Sequence, residues 1–168
     1  VSGNSSGAAD GSQEMAAVSR DFSAAQILFH SAVADVVGLS AGDYKCLDLA
    51  LRAGRPLTAG QLAELSGLST GTVTGVVDRL ESAGLVLRVR DSEDRRRVLI
   101  EVTPEVETRF GGIFDSLHRA VQQLESEFTP DDLRVVHVYM KRSIEMFRQQ
   151  ILRLRDHAAS GRRGTTEE

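Results

Sequence analysis

Five arginines fall within ten residues, Arg88, Arg90, Arg95, Arg96 and Arg97, interleaved with Asp91, Glu93 and Asp94. Guanidinium groups at that density bind anions. Carried on the tip of a narrow loop, an arginine fits the minor groove of a duplex, where width and negative potential are read without base-specific hydrogen bonds. The carboxylates nearly balance the charge, so Asp94 is expected to aim a neighbouring arginine through a fixed ion pair. A solvated, self-paired charge run is the alternative. A second set of groups lies just upstream: Ser69, Thr70, Thr72 and Thr74 supply short hydroxyls, and Gly71 and Gly75 among them leave little bulk before Arg79. Short hydroxyls and the N–H groups of a helix start can bond phosphate oxygens and base edges.

Residues for other chemistries are sparse. Cys46 is the only cysteine, which excludes an intrachain disulfide and a cysteine-based zinc site; among Tyr44, Leu47, Leu49 and Ala50 it reads as a small buried apolar residue. His30, His118, His137 and His157 lack metal-ligand spacing. No glycine-rich phosphate loop follows a strand, no nucleophile-base arrangement is supported by spacing, and Glu64 and Glu81 belong to helix faces. Neither an enzyme, a metal nor a cofactor is expected.

The candidate groups need elements to position them. Thr58-Ala59-Gly60-Gln61 has the form of a capping box, and Leu62, Ala63 and Leu65 give the apolar face of a short helix. Ser66-Gly67-Leu68-Ser69 breaks it. Ser69 then caps a second helix, through 69–83, whose Val73, Val76, Val77 and Leu80 recur at helical spacing until Ala83-Gly84 stops it. The product is a helix-turn-helix. A glycine inside a helix costs roughly 1 kcal/mol relative to alanine, so Gly71 and Gly75 on the outward face with Thr74 and Asp78 imply close approach by another surface. Relief of crowding against a neighbouring helix is the alternative. Beyond Gly84 the pattern alternates, with Leu85, Leu87 and Val89 on one face and Val98, Ile100 and Val102 on a second strand. A two-stranded hairpin over 85–103 follows, with the arginines at its tip.

Thr103-Pro104-Glu105 and Thr129-Pro130-Asp131 are two similar helix starts, each with a capping hydroxyl, a proline at the first helical position and an early acid. Val106, Phe110, Ile113, Phe114, Leu117, Val121 and Leu124 form the apolar stripe of the first helix. Leu133, Val136, Met140, Ile144, Phe147, Ile151 and Leu154 form that of the second. An N-terminal helix, roughly Met15 to Val37, adds Phe22, Phe29, Val33 and Val36. These stripes exceed what the small central domain needs, and a second copy of the chain is the expected partner; a monomeric helical bundle is the alternative. The expected organisation is a disordered tail over 1–14, an N-terminal helix of the dimerisation region over 15–39, a DNA-binding domain over 40–103, C-terminal dimerisation helices over 104–157 and a disordered tail over 158–168.

The chain has 168 residues, 41% hydrophobic and 26% charged, ordinary for a soluble globular protein. No apolar run approaches a membrane span and no signal peptide is read at the start, so a cytoplasmic location is expected. The net charge of −4 opposes phosphate binding. Acids outside the central domain, such as Glu125, Glu127, Asp131, Asp132, Glu167 and Glu168, carry much of it.

The run from Thr70 to Glu81, with Gly84-Leu85-Val86 and Asp91-Ser92-Glu93-Asp94-Arg95-Arg96, resembles the core signature of MarR-type winged-helix transcription regulators, and the resemblance extends over nearly all of 21–156. It implies a mainly α (α+β) fold, a winged helix-turn-helix flanked by long helices that form a dimerisation domain. It implies a homodimeric repressor of a palindromic double-stranded DNA operator. The reading helix with Ser69, Thr70, Gly71, Thr72, Thr74, Gly75 and Arg79 would enter the major groove, and the wing with Arg88, Arg90, Asp94, Arg95, Arg96 and Arg97 the minor groove. Arg96, two positions after Asp94, matches the arginine that commonly enters the minor groove. Gly75 departs from the long polar residue that many members carry there, and the glycine often found soon after the wing's last threonine is absent. Relatives often respond to a small aromatic or phenolic effector; Phe29, His30, Tyr44 and Phe114 are the candidate lining of such a cleft, although core packing is the favoured role of each. From another class, the rival function is a winged-helix protein-interaction module that does not bind DNA.

Overall fold

The computed structural model describes residues 5–163. In chain order the elements are α1 (Ser5–Val36), α2 (Ala41–Ala53), β1 (Leu57–Thr58), α3 (Ala59–Ser66), α4 (Thr70–Ser82), β2 (Val86–Arg90), β3 (Val98–Val102), α5 (Glu105–Glu125) and α6 (Pro130–Arg163). Two compact units share the chain, Val1–Phe114 and Asp115–Glu168. Among the described residues no single helix is long and apolar enough to cross a membrane.

Local chemistry sets the helix ends. Ser40 caps α2 by accepting a hydrogen bond from the Asp43 N–H at 3.1 Å. Thr58 and Gln61 close a reciprocal capping box on α3, the Gln61 N–H donating to the Thr58 hydroxyl at 3.2 Å and the Thr58 N–H to the Gln61 side chain at 2.9 Å. Helix α4 ends on Gly84 at φ 74°; the Leu85 N–H donates to the Leu80 carbonyl and the Gly84 N–H to the Glu81 carbonyl, both at 2.9 Å. This pattern satisfies the last carbonyls and brings two leucines together, and both are buried.

The core of the first unit gathers Leu47, Leu57, Leu62, Val73, Val76, Val77, Leu80, Leu85, Val86, Ile100 and Phe110. All valines expected on the inner face of α4 are there. Leu65, expected on the apolar face of α3, is 53% exposed; Ser66 takes the inward position instead, its hydroxyl donating to the Ala63 carbonyl at 3.3 Å.

Three strands, not two, make the sheet, in the order β1-β3-β2. The added strand is a two-residue edge in which Leu57 pairs with Ile100 and Thr58 with Leu99. In the hairpin Val86 lies opposite Val102, Arg88 opposite Ile100 and Arg90 opposite Val98. The strands alternate, but the phase of β2 differs from the expected one: Val86 is fully buried and Leu87 is 52% exposed. After the left-handed turn at Gly84 both Leu85 and Val86 enter the core, and Leu87 faces out.

The two threonine-proline starts differ. Thr129 accepts from the Asp132 N–H at 3.2 Å while the Asp132 carboxylate takes the Thr129 N–H at 3.1 Å, and these bonds hold the Asp132 carboxyl below its ordinary pKa. Thr103 caps nothing through its side chain. Its hydroxyl donates to the Gly84 carbonyl at 2.6 Å and its N–H to the Leu85 carbonyl at 3.0 Å, tying the end of β3 to the end of α4.

Helix α1 begins at Ser5 and α6 runs to Arg163, so the expected disordered tails are helical over 5–14 and 158–163, while 1–4 and 164–168 lie outside the described residues. Strong helix formers extend both ends: Ala8, Ala9, Gln13, Glu14, Ala16 and Ala17 in one case, Ala158, Ala159, Arg162 and Arg163 in the other. Among the residues of α1 whose burial is described, Val33 and Ala34 are the buried ones, and Val36, expected on the apolar stripe, is 75% exposed.

Candidate nucleic-acid interface

The first turns of α4 carry the hydroxyls singled out from sequence. The Ser69 hydroxyl accepts from the Thr72 N–H at 3.1 Å and lies 2.8 Å from the Thr72 hydroxyl. Thr74 donates back to the Thr70 carbonyl at 3.0 Å. Thr74 and one member of the Ser69–Thr72 pair thus spend their hydroxyl protons within the helix, while the other member of that pair keeps its proton. Ser69, Thr70, Gly71, Thr72 and Thr74 are exposed and Gly75 is half-buried.

Neither glycine relieves a crowded helix contact. A Cβ at Gly71 would meet only the Ser69 Oγ at 4.0 Å, and one at Gly75 only the Arg79 Nη1 at 3.6 Å. Crowding among the described residues therefore does not account for the helix-destabilising cost of the two glycines.

At the wing tip the Arg97 N–H donates to the Asp94 carbonyl at 2.8 Å, closing a four-residue turn with Arg95 and Arg96 at its two central positions. The Asp94 carboxylate does not pair with an arginine side chain. It accepts the Arg96 N–H at 3.0 Å, because an aspartate opening such a turn has the backbone N–H two residues on within easier reach than any flexible guanidinium. Asp94 thus fixes the backbone from which Arg96 projects. Arg97 lies 4.0 Å from Asp91, whose carboxylate also accepts the Glu93 N–H at 2.9 Å. Among the described residues no ion pair engages Arg90, Arg95 or Arg96.

The other two candidate arginines are committed. Arg88, expected with the free wing arginines, folds against α4, where it reaches Asp78 at 2.5 Å and also pairs with Glu81. Arg79 donates from Nε to both carboxylate oxygens of Asp43, at 3.2 and 3.0 Å, and from Nη2 to Oδ1 at 2.6 Å. The Asp43 side chain is only 6% exposed and that of Arg79 is 59% exposed. Hydrogen bonding from Arg79 draws the Asp43 carboxyl below its ordinary value against the opposing effect of burial, with the Ser40 cap assisting. Sequence reading missed Asp43, and its only signal was an acid in the first turn of a capped helix.

The four aromatic candidates fall in one row, bridged by a fifth ring. Phe29 meets His30 edge-on at 5.7 Å, His30 lies 5.6 Å from Tyr44, Tyr44 stacks on Phe110 at 6.2 Å, and Phe110 stacks on Phe114 at 6.0 Å. Tyr44 and Phe110 are buried, and burial raises the Tyr44 phenol pKa. His30 Nδ1 is buried without a hydrogen-bond partner. Cys46 is fully buried, which pushes its thiol pKa up and keeps it a poor nucleophile. Among the described residues no three potential ligands converge on a metal position.

The chain is similar to known proteins in sequence and in fold. A model of the MarR family matches residues 39–98. A Bacillus subtilis protein described as an uncharacterized HTH-type transcriptional regulator, YcgE, is 37% identical over 129 residues, spanning 77% of this chain and 83% of that protein. The homoprotocatechuate degradative operon repressor of Escherichia coli is 30% identical over 63 residues, 38% of this chain and 43% of that repressor. Among solved structures, the MarR family transcription regulator SP03579 superposes with a TM-score of 0.68 at 17% identity, covering 86% of this chain and 95% of that one.

Proposed function

The chain belongs to the MarR family of transcriptional regulators, and on that premise we propose that it is a cytoplasmic, homodimeric repressor of a palindromic operator, released by a small aromatic or phenolic ligand. In this reading Ser69, Thr70, Gly71, Thr72, Thr74, Gly75 and Arg79 face the major groove, and Arg90, Arg95 and Arg96 serve the minor groove. Asp94, Arg97 and Arg88 shape the wing that carries them. The observation that carries the proposal is the pairing of an exposed, side-chain-poor face on α4 with a wing whose turn presents unpaired guanidinium groups.

Charge is compatible with it. Residues 40–103 hold nine basic and nine acidic side chains, so the excess of acid lies outside the DNA-binding region. Asp43, Asp48, Asp78, Glu81 and Asp91 are each held by an arginine. The cations left over sit mainly on the wing.

Exposed apolar side chains support dimerisation. Val136, Met140, Ile144, Phe147, Ile151 and Leu154 of α6 are 46–68% exposed, a continuous stripe of the kind that marks an interaction surface. The aromatic row and the unpartnered His30 Nδ1 support an aromatic effector with a polar substituent. For such a ligand to release DNA it must prefer the conformation that does not bind the operator. The relative named as a degradative operon repressor supports the negative direction of control.

Selection of bound sequences from random duplex DNA with the purified chain tests the reading. A palindrome with half-sites about one helical turn apart is expected. Failure to enrich any sequence at low salt would exclude it and favour a protein-interaction role.

A further inference from the structure

Arg79 stands nine residues after the first residue of α4, and its guanidinium does not extend away from the helix. Helical side chains lean toward the N-terminus, over the residue four positions earlier. Here that residue is Gly75, and Arg79 Nη1 lies 3.6 Å from where its Cβ would be. A methyl group at 75 would sit at ordinary van der Waals distance from Nη1, so a longer side chain there would contest the surface that the guanidinium occupies. Its position is fixed from the other side by Asp43 of α2, which engages Nε and Nη2 and is itself held by the Ser40 cap.

That engagement consumes one edge of the guanidinium. The edge formed by Nη1 and the second hydrogen of Nη2 stays free, and no hydrogen bond from Nη1 is present among the described residues. Two parallel N–H donors on a rigid, exposed fork match the O6 and N7 acceptors that guanine presents in the major groove. A lysine or a mobile arginine would serve a phosphate equally well, whereas the Asp43 carboxylate, besides tying α2 to α4, fixes the plane of the fork, which two-donor base recognition requires.

We propose that Arg79 reads a guanine in each half-site, oriented by Asp43 as a positioning residue and given room by Gly75. The inference rests on the operator-binding reading and adds to it one base and the pair of residues that specify it. Beside Gly75 the outward face of α4 then has a physical occupant, the guanidinium from the following turn.

The experiment is selection from random duplex DNA with the full chain and with Arg79→Lys, Arg79→Ala and Asp43→Asn, followed by affinity measurements on the wild-type sequence and on duplexes changed at single base pairs. The wild type is expected to enrich an invariant guanine in each half-site. Arg79→Lys, which keeps the charge, should retain binding yet lose roughly tenfold or more of its preference at that one base pair. Asp43→Asn should lose part of the same preference and none elsewhere; circular dichroism establishes that it is folded, and if it is not, the lysine variant alone decides. Unchanged base preference in Arg79→Lys at every position, with or without weaker overall binding, overturns the inference while leaving operator binding intact. Enrichment of no sequence by the wild type overturns both.

Discussion

The guanidinium of Arg88 on β2 reaches the Asp78 carboxylate on α4 at 2.5 Å and pairs in the same stroke with Glu81. One side chain thus ties β2 to α4 and neutralises two acids on that helix. Arg88→Ala should change the melting temperature little, because a partly exposed pair contributes about 1 kcal/mol or less. Affinity for the operator should fall roughly tenfold at low salt, since the freed carboxylates repel phosphate over a distance set by screening. The fall should shrink as salt is raised. Titrations at a series of salt concentrations check this, and a loss that does not depend on salt would point to a mechanical role alone.

Arg96 behaves differently because no ion pair among the described residues holds its side chain. Asp94 orders only its backbone, through the 3.0 Å bond to the Arg96 N–H. Arg96→Ala in a dimer removes two cations from the duplex, so the slope of log affinity against log salt should become shallower by about 1.8. Arg88→Ala should leave that slope higher than Arg96→Ala does. An unchanged slope in Arg96→Ala would place the wing tip away from the backbone.

What the sequence made legible was whatever depends on local spacing. The capping box at Thr58 and Gln61, the cap at Ser69, the inner valines of α4 and the glycine stop at Gly84 all rest on contacts within a few residues. What it hid depends on contacts between elements distant along the chain. Asp43 meets Arg79 across 36 positions, and the edge strand at Leu57 exists only because β3 is there to pair with it. The phase error at Leu87 has the same origin, since alternation gives the period of a strand and only the turn before it gives the phase. At Asp94 the expected ion pair with a neighbouring arginine gives way to a bond from the backbone N–H two residues on, which is nearer than any flexible guanidinium.

Gly71 allows a test in which stability and binding move in opposite directions. An alanine Cβ there would meet only the Ser69 Oγ at 4.0 Å, so Gly71→Ala should stabilise the fold by up to about 1 kcal/mol in chemical denaturation. Operator affinity should fall if the glycine exists for close approach to DNA. Equal or tighter binding by this variant would remove the functional reason for the glycine.

The apolar stripe of α6 should hold two copies together. Ile144 is 49% and Phe147 61% exposed, and a charge at either position would be buried in a dimer without a partner, at a cost of several kcal/mol. Ile144→Asp with Phe147→Asp should sediment as a monomer and lose operator affinity, while the first unit keeps its folded signal. A variant that still sediments as a dimer would move the interface elsewhere.

Asp43 gives the protein a definable acid response. Its carboxyl lies below the ordinary value of 3.8, chiefly through its hydrogen bonds to Arg79, with burial opposing and the Ser40 cap reinforcing the shift. A folded-state value depressed in this way contributes stability that is fully present above the unfolded value and is lost as the pH falls through the folded one. Asp43→Asn should therefore melt below the wild type at neutral pH, and the gap should close as the pH drops through and below the ordinary carboxylate range near 3.8. Thermal melts of both proteins from neutral pH downward check it. A gap that stays constant into acid would mean that the aspartate charge contributes nothing to the α2–α4 tie and that shape alone holds Arg79 in place.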